Sequence, residues 1–314
     1  MEPGIYILAE AGNSLFEGLN PEGLSACHPA WADDVKRFGP WSESVIHPGT
    51  GCSGLKITAW RSGTAAGDSA SLICGRCSST MDCLRFLIDS LGLSPWDCMI
   101  ASEQKKGRGQ RDRSWLSPPG NLYVSWYWPD PGKKEGAAPG WQAMASLMAG
   151  LITAETLESF GLKVRIKWPN DLLVNDRKVC GILVENRGGH LIVGIGLNLA
   201  HAPKKEGLRD PFAVPAASLK DAGFEITPLE FWSRLAEAGR RRFYQLVGSV
   251  SPETFVELLH GRLAWKGEKV TIRKSPDEAY TAEILGLSPD GGLVINRESH
   301  TESIYTGSIL PVES

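Results

Sequence analysis

Residues 163–199 read KVRIKWPNDLLVNDRKVCGILVENRGGHLIVGIGLNL, and the way this run divides decides the fold. Apolar, β-prone stretches from Lys163 to Trp168, Val179 to Glu185 and Leu191 to Leu199 are separated by the turn-forming Asn175-Asp176-Arg177-Lys178 and Arg187-Gly188-Gly189. Strands joined by connections this short pair antiparallel, so the run predicts a meander. Just before it, residues 141–160 (WQAMASLMAGLITAETLESF) are apolar on many faces and end at Gly161, which predicts a buried helix. Just after it, Pro228 to Val247 is amphipathic at helical spacing, and Pro252 to His260 reads as a shorter helix.

Farther upstream, residues 71–93 (SLICGRCSSTMDCLRFLIDSLGL) read as a short strand, a polar Ser78-Ser79-Thr80 cap, and a helix bearing Leu84, Leu87, Ile88 and Leu91, stopped by Gly92. Beyond residue 263 the period shortens to the strands KVTIRK, AYTAEILGL, GLVIN and ESIYTG, with a turn at Ser288-Pro289-Asp290-Gly291-Gly292. That predicts a small SH3-like β-barrel. Residues 1–68 are rich in Gly, Pro and Ser and show no sustained helical or alternating pattern. The expected organisation is an extension of unreadable role over residues 1–68, a catalytic-sized core over 69–262 and the barrel over 263–314. The fold class is α+β, a mixed or antiparallel sheet with flanking helices.

Across its 314 residues the chain sets 33 Lys and Arg against 36 Asp and Glu, a net charge of -3 that gives no global pull toward nucleic acid or a membrane surface. Residues 1–68 lack the amphipathic helices and basic recognition face of a winged helix-turn-helix, which argues against DNA binding. No run is long enough to span a bilayer, and the acidic start MEPGIYILAEAG does not read as a secretory signal. The 7 cysteines are odd in number and scattered, which points to a reducing compartment, the cytoplasm. Cys74 and Cys77 have no second ligand pair at zinc-site spacing and read as small residues on a partly buried strand.

Three segments carry candidate chemistry. The first is Glu103-Gln104-Lys105-Lys106-Gly107-Arg108-Gly109-Gln110-Arg111-Asp112-Arg113-Ser114-Trp115, in which glycines permit close backbone approach and five cations would attract a phosphate or carboxylate. It matches neither the P-loop nor the dinucleotide fingerprint, and a solvated basic loop has the same composition. The turn Ser117-Pro118-Pro119-Gly120 and the strand LYVSWYW that follow anchor it to a sheet, as a lid over a ligand requires. The second is Lys167-Trp168-Pro169-Asn170-Asp171, where a lysine on an apolar strand either pairs with Asp171 or holds a substrate anion. The third is the strand VGIGLNLA, in which Gly194, Gly196 and Asn198 share one face.

Taken together, the Gly-Arg-Gly loop, the Lys-Trp-Pro-Asn-Asp segment and the Gly-x-Gly-x-Asn strand, in this order, resemble the biotin protein ligases. Ser79-Thr80, Arg177-Lys178, Gly181 to Glu185 and Ala217-Ser218-Leu219 extend the resemblance over roughly residues 70–314. It implies a core like that of class II aminoacyl-tRNA synthetases and biotin ligases. It also implies an enzyme that forms biotinyl-5'-AMP from biotin and ATP with Mg2+, then biotinylates a lysine of a biotin carboxyl carrier protein.

By that resemblance Ser79, Thr80 and Gln104 bind the biotin head group, with Leu172, Gly194 and Gly196 shaping the pocket and Gly107, Gly109 and Gln110 in the loop around it. Arg108 and Lys167 hold the carboxylate and then the adenylate phosphate. Arg111, Arg113 and Trp115 belong to the lid on the ATP side, with Asn170 and Asn198, and the loop from Ala202 to Pro215 folds over the adenine. Asp171 orients or deprotonates the acceptor lysine. No metal ligand is assigned, and a homodimer through sheet edges stays open. Gln110 and Asp112 depart from the arginine and glycine of the best-known form, which weakens the expected grip on the adenylate. Met81 stands where an asparagine often follows the Ser-Thr pair. The alternatives are a lipoate or octanoate ligase or transferase of the same fold, and a non-catalytic regulator switched by its ligand.

Overall fold

The computed structural model describes residues 1–10, 15–48, 56–64, 67–111, 113–130, 141–204, 214–275 and 278–312. The chain divides into two units, the first formed by residues 1–129, 180–202 and 217–240, the second by 130–179, 203–216 and 241–314.

In the first unit the strands are β1 (Gly4–Glu10), β2 (Trp41–Ile46), β3 (Ile57–Ser62), β4 (Ala70–Cys77), β5 (Cys98–Gln104), β6 (Leu122–Tyr127), β9 (Arg177–Arg187, in this unit from Cys180) and β10 (His190–Leu197). They neighbour one another in the order β2-β3-β1-β4-β5-β6-β10-β9. Strand β1 runs parallel to β4, and β4 parallel to β5, whereas β5-β6, β6-β10 and β10-β9 are antiparallel. The sheet is therefore mixed.

The first 68 residues hold more order than their sequence pattern predicts. Strand β1 lies between β3 and β4 with Ile5, Tyr6, Ile7 and Leu8 all buried. A strand covered on both faces has no polar alternation to betray it. Helices α1 (Pro21–Cys27) and α2 (Pro29–Arg37) are short, and each starts with a proline behind a side-chain cap, from Asn20 and His28. Helix α3 (Thr80–Leu91) follows β4 and buries Leu84, Leu87, Ile88 and Leu91, the residues its spacing predicts, before Gly92 ends it at φ 70°. Cys74 and Cys77 are fully covered on β4 rather than partly so, and among the described residues no group of acidic, His and Cys side chains is placed to hold a metal.

Asp34 of α2, with no exposed surface, anchors helix α5 (Pro228–Ser249) by accepting hydrogen bonds from the Thr227 hydroxyl and, at 2.9 Å, from the Leu229 amide. The Leu229 bond serves a helix start whose first amides have no partner within the helix.

In the second unit α4 (Ala145–Glu158) is the buried apolar helix the sequence predicts, although residues 141–144 form turns instead of its first turn. The stretch expected as one strand from Lys163 to Trp168 is shorter, β7 (Arg165–Lys167), and it pairs with an unanticipated β8 (Asp171–Val174). All four β8 residues are buried, so again no alternation marks the strand. Arg242 and Arg262 clamp α4 through two-point pairs with Glu155 and Glu158. Helix α6 (Pro252–His260) precedes an antiparallel sheet of β11 (Lys269–Ser275), β12 (Glu278–Leu287), β13 (Leu293–Arg297), β14 (His300–Ile304) and β15 (Ser308–Pro311), as in a small SH3-like domain. The order is β14-β13-β12-β11-β15. The expected ESIYTG strand stops at Ile304 in β14, and Gly307, at φ 151°, lies just before the unanticipated β15, which pairs with β11.

Burial pushes the Asp34 carboxyl up from 3.8 to about 7, partly offset by the Leu229 and Thr227 hydrogen bonds and by Arg37. A raised carboxyl stabilises the fold most below pH 3.8 and loses that contribution as pH rises toward 7. The stability advantage of wild type over Asp34→Asn, measured by urea unfolding, should therefore shrink from pH 4 to pH 7.

Candidate active site

The residue that organises the first unit's site is Gln104, the last of β5. Ser79 occupies the N-cap position of α3, but its hydroxyl makes no capping bond. Instead the Gln104 carbonyl oxygen accepts from the Thr80 amide at 2.9 Å and lies 3.2 Å from the Thr80 hydroxyl, while its NH2 donates to Ser117 at 3.0 Å. The Thr80 hydroxyl also meets the fully buried Ser125 hydroxyl at 2.8 Å. Thr80, Gln104, Ser117 and Ser125 thus make a polar wall against the apolar core, tolerable because these groups satisfy one another, with Ser79 beside them.

The Gly-Arg-Gly segment is a hairpin. Trp115 N–H donates to Gly107 at 2.8 Å, Gly109 N–H donates to Arg113 at 2.7 Å, and Arg111 takes a positive φ of 55° near the tip. A side chain on Gly107 would sit 2.4 Å from the Trp115 carbonyl oxygen, so this glycine serves the hairpin's own close approach. Arg111 and Arg113 are exposed and Gln110 is half-buried. Arg108 is held by Asp82 at 3.0 Å and Glu185 at 3.4 Å. Asp112 lies outside the described residues.

The bare face of β10 is covered by side chains of other elements. A Cβ on Gly194 would meet Met81 Sδ at 3.1 Å and Ser125 Oγ at 3.2 Å, and one on Gly196 would meet the Trp115 indole at 2.3 Å. Gly181, opposite Gly196 on β9, faces the same indole at 2.7 Å. Trp115 therefore lies across a floor made of two glycines, and Met81 fills the position above Gly194. Asn198 is 1% exposed and gives its amide hydrogen to Ala217 at 3.1 Å, so in this arrangement it fastens the end of β10. Of the loop from Ala202 to Pro215, residues 205–213 lie outside the described residues.

The second unit holds the other cations. Lys167 Nζ is 2.8 Å from Asp171 Oδ2, and Lys178 Nζ is 2.6 Å from Asp171 Oδ1. Burial alone would push the Asp171 carboxyl up, but Lys167 and Lys178 together hold it down, at about 2. Of the two lysines Lys178 is the more accessible, 26% against 12% for Lys167. Leu172 is fully buried on β8, and Asn170 is half-buried in the turn before it.

Sequence reasoning gave no site role to Lys178, Gly181, Ser125, Asp82 or Glu185, although Lys178, Gly181 and Glu185 lie in segments that carry the resemblance. The signal for Lys178 was present: a second lysine seven positions after Asp171, across a tight turn that returns the chain. The others become visible only once strands and helix are paired.

Comparison with known proteins gives these features a family. The pattern of the Biotin/lipoate A/B protein ligase family matches residues 74–199, and that of the Biotin protein ligase C terminal domain matches residues 267–310. The biotin–acetyl-CoA-carboxylase ligase of Paracoccus denitrificans is 36% identical over 218 residues, 65% of this chain and 85% of that protein. On these matches the chain belongs to the biotin protein ligases. The bifunctional ligase/repressor BirA of Escherichia coli is 42% identical over 150 residues, 45% of this chain, and the match spans only 44% of the E. coli protein. Among solved structures, the Aquifex aeolicus biotin protein ligase in complex with biotin and ATP aligns with a TM-score of 0.63 at 26% identity, over 76% of this chain and 97% of that one.

Because Gln104, not Ser79, serves the start of α3, Gln104→Ala should cost about 1–2 kcal/mol in urea unfolding, the range of a lost cap or buried acceptor. Ser79→Ala, which removes no capping bond, should cost less than Gln104→Ala in the same measurement.

Proposed function

We propose that the protein joins biotin to ATP as biotinyl-5'-AMP and then passes the biotinyl group to a lysine of a biotin carboxyl carrier protein. The observation that carries this reading is the first unit's combination of a satisfied polar wall, Thr80, Gln104 and Ser125, with one arginine on a glycine hairpin. A ureido head group needs donors and acceptors at close range, and a carboxylate needs a cation.

The acid substrate is already ionised at neutral pH, a carboxylate of this kind having a reference pKa near ~4.3, so no base is required for the first step. Charge control is required instead. Arg108 takes the carboxylate, and the lysines on either side of Asp171 offset charge on the α-phosphate as pyrophosphate leaves. Ser79, Gly107, Gly109, Gln110 and Leu172 complete the biotin side in this reading, and Asn170, Arg111 and Arg113 the nucleotide side. Trp115 excludes water from the glycine floor, which protects a mixed anhydride from hydrolysis.

No cage of three or more acidic, His or Cys side chains is found among the described residues. That fits a Mg2+ ion carried in by the triphosphate, which needs few protein ligands, and its chemistry is to neutralise phosphate charge.

In the transfer step a carboxyl held at about 2 is a poor proton acceptor near neutrality, so Asp171 acts by fixing Lys167 and Lys178. The described cysteines are free thiols, which suits a reducing compartment such as the cytoplasm.

Biotin-dependent ATP–pyrophosphate exchange tests the assignment. Arg108→Ala and Lys167→Ala should each lower it by about a hundredfold or more, as loss of a charge-stabilising donor does, with the fold intact by circular dichroism. Normal exchange in either variant rejects its role. Asp171→Asn should depress exchange as well as transfer; loss of transfer alone would restore Asp171 as the base.

A further inference from the structure

The Arg108 guanidinium is already engaged before any ligand arrives. Its Nη2 lies 3.0 Å from Asp82, in the first turn of α3, and 3.4 Å from Glu185 on β9. One cation thus faces two anions. The contacts are one-sided, because both carboxylates use the same nitrogen, and the buried Nε has no hydrogen-bond partner among the described residues. A guanidinium binds a carboxylate most strongly through two parallel hydrogen bonds, and the resting arrangement leaves that capacity unused.

We propose that Asp82 and Glu185 are internal competitors for Arg108, setting how tightly the hairpin holds the carboxylate of the acid substrate, which binds by displacing them. This rests on the reading of Arg108 as the carboxylate ligand. The three side chains are 27%, 34% and 20% exposed for Arg108, Asp82 and Glu185, so water screens the pairs and each is weak enough to yield. A ligand carboxylate that engages Nε together with Nη2 replaces one-point contacts by a two-point one. Two resident negative charges also oppose the entry of a third. Asp82 and Glu185 are therefore positioning residues that lower affinity, and they discriminate by charge because an uncharged ligand does not have to displace them. A purely structural role predicts the reverse sign, since loosening a supporting residue weakens binding.

The test is calorimetric titration of wild type, Asp82→Asn and Glu185→Gln with biotin and with biotin methyl ester, which keeps the head group and lacks the charge. Each variant should bind biotin about two- to fivefold more tightly, the scale of a partly exposed ion pair, and bind the ester as wild type does. Unchanged or weaker binding of biotin, or an equal gain for the ester, overturns the competition. If wild type binds no biotin, the proposed function falls and this inference with it, a result distinct from wild-type binding that the substitutions leave unaltered.

Discussion

The Gln104 side chain closes the first unit's site upon itself. Its carbonyl oxygen takes the amide that would otherwise be orphaned at the start of α3, and its NH2 holds Ser117, just past the Gly107–Trp115 hairpin. A single amide thereby joins the end of β5, the start of a buried helix and the base of the loop that carries Arg108. Removing it would leave Thr80 and Ser117 with fewer partners beside an apolar core, where an unsatisfied group is costly. The polar wall and the loop thus depend on one another.

Charge is handled by restraint in both units. Arg108 is shared between two carboxylates, and Asp171 is shared between two lysines. Both lysines favour the ionised form of the buried acid against its burial, and the acid holds their cationic nitrogens in place. The sequence alternatives for Lys167, pairing with Asp171 or holding an anion, are not exclusive on this arrangement. The pair is observed, and Lys178 supplies the second cation that makes the group net positive.

Much of this was legible in the sequence, for identifiable reasons. Helices α3, α5 and α6 announce themselves by helical spacing and by terminal glycine or proline. The C-terminal strands β11 and β13 are partly exposed and alternate. Among the elements that escaped, β1 and β8 are buried on both faces and carry no period, while α1, α2, β2 and β3 are short elements in a stretch rich in Gly, Pro and Ser. The glycines of β10 were recognised as sites of close approach, but the chain alone does not say what approaches. It is Met81 at Gly194 and Trp115 at Gly196. Similarly, Ser79 sits where a cap is expected while the capping function comes from a residue 25 positions later, a substitution that only pairing of β4 with β5 reveals.

On the proposed function, the polar wall and Arg108 select and activate biotin. The most direct measurement supplies the protein with ATP, Mg2+ and equal concentrations of biotin and lipoate, then identifies the acyl-adenylate by mass. The account predicts biotinyl-5'-AMP in large excess. Predominant lipoyl-AMP, or no adenylate of either acid, would contradict it.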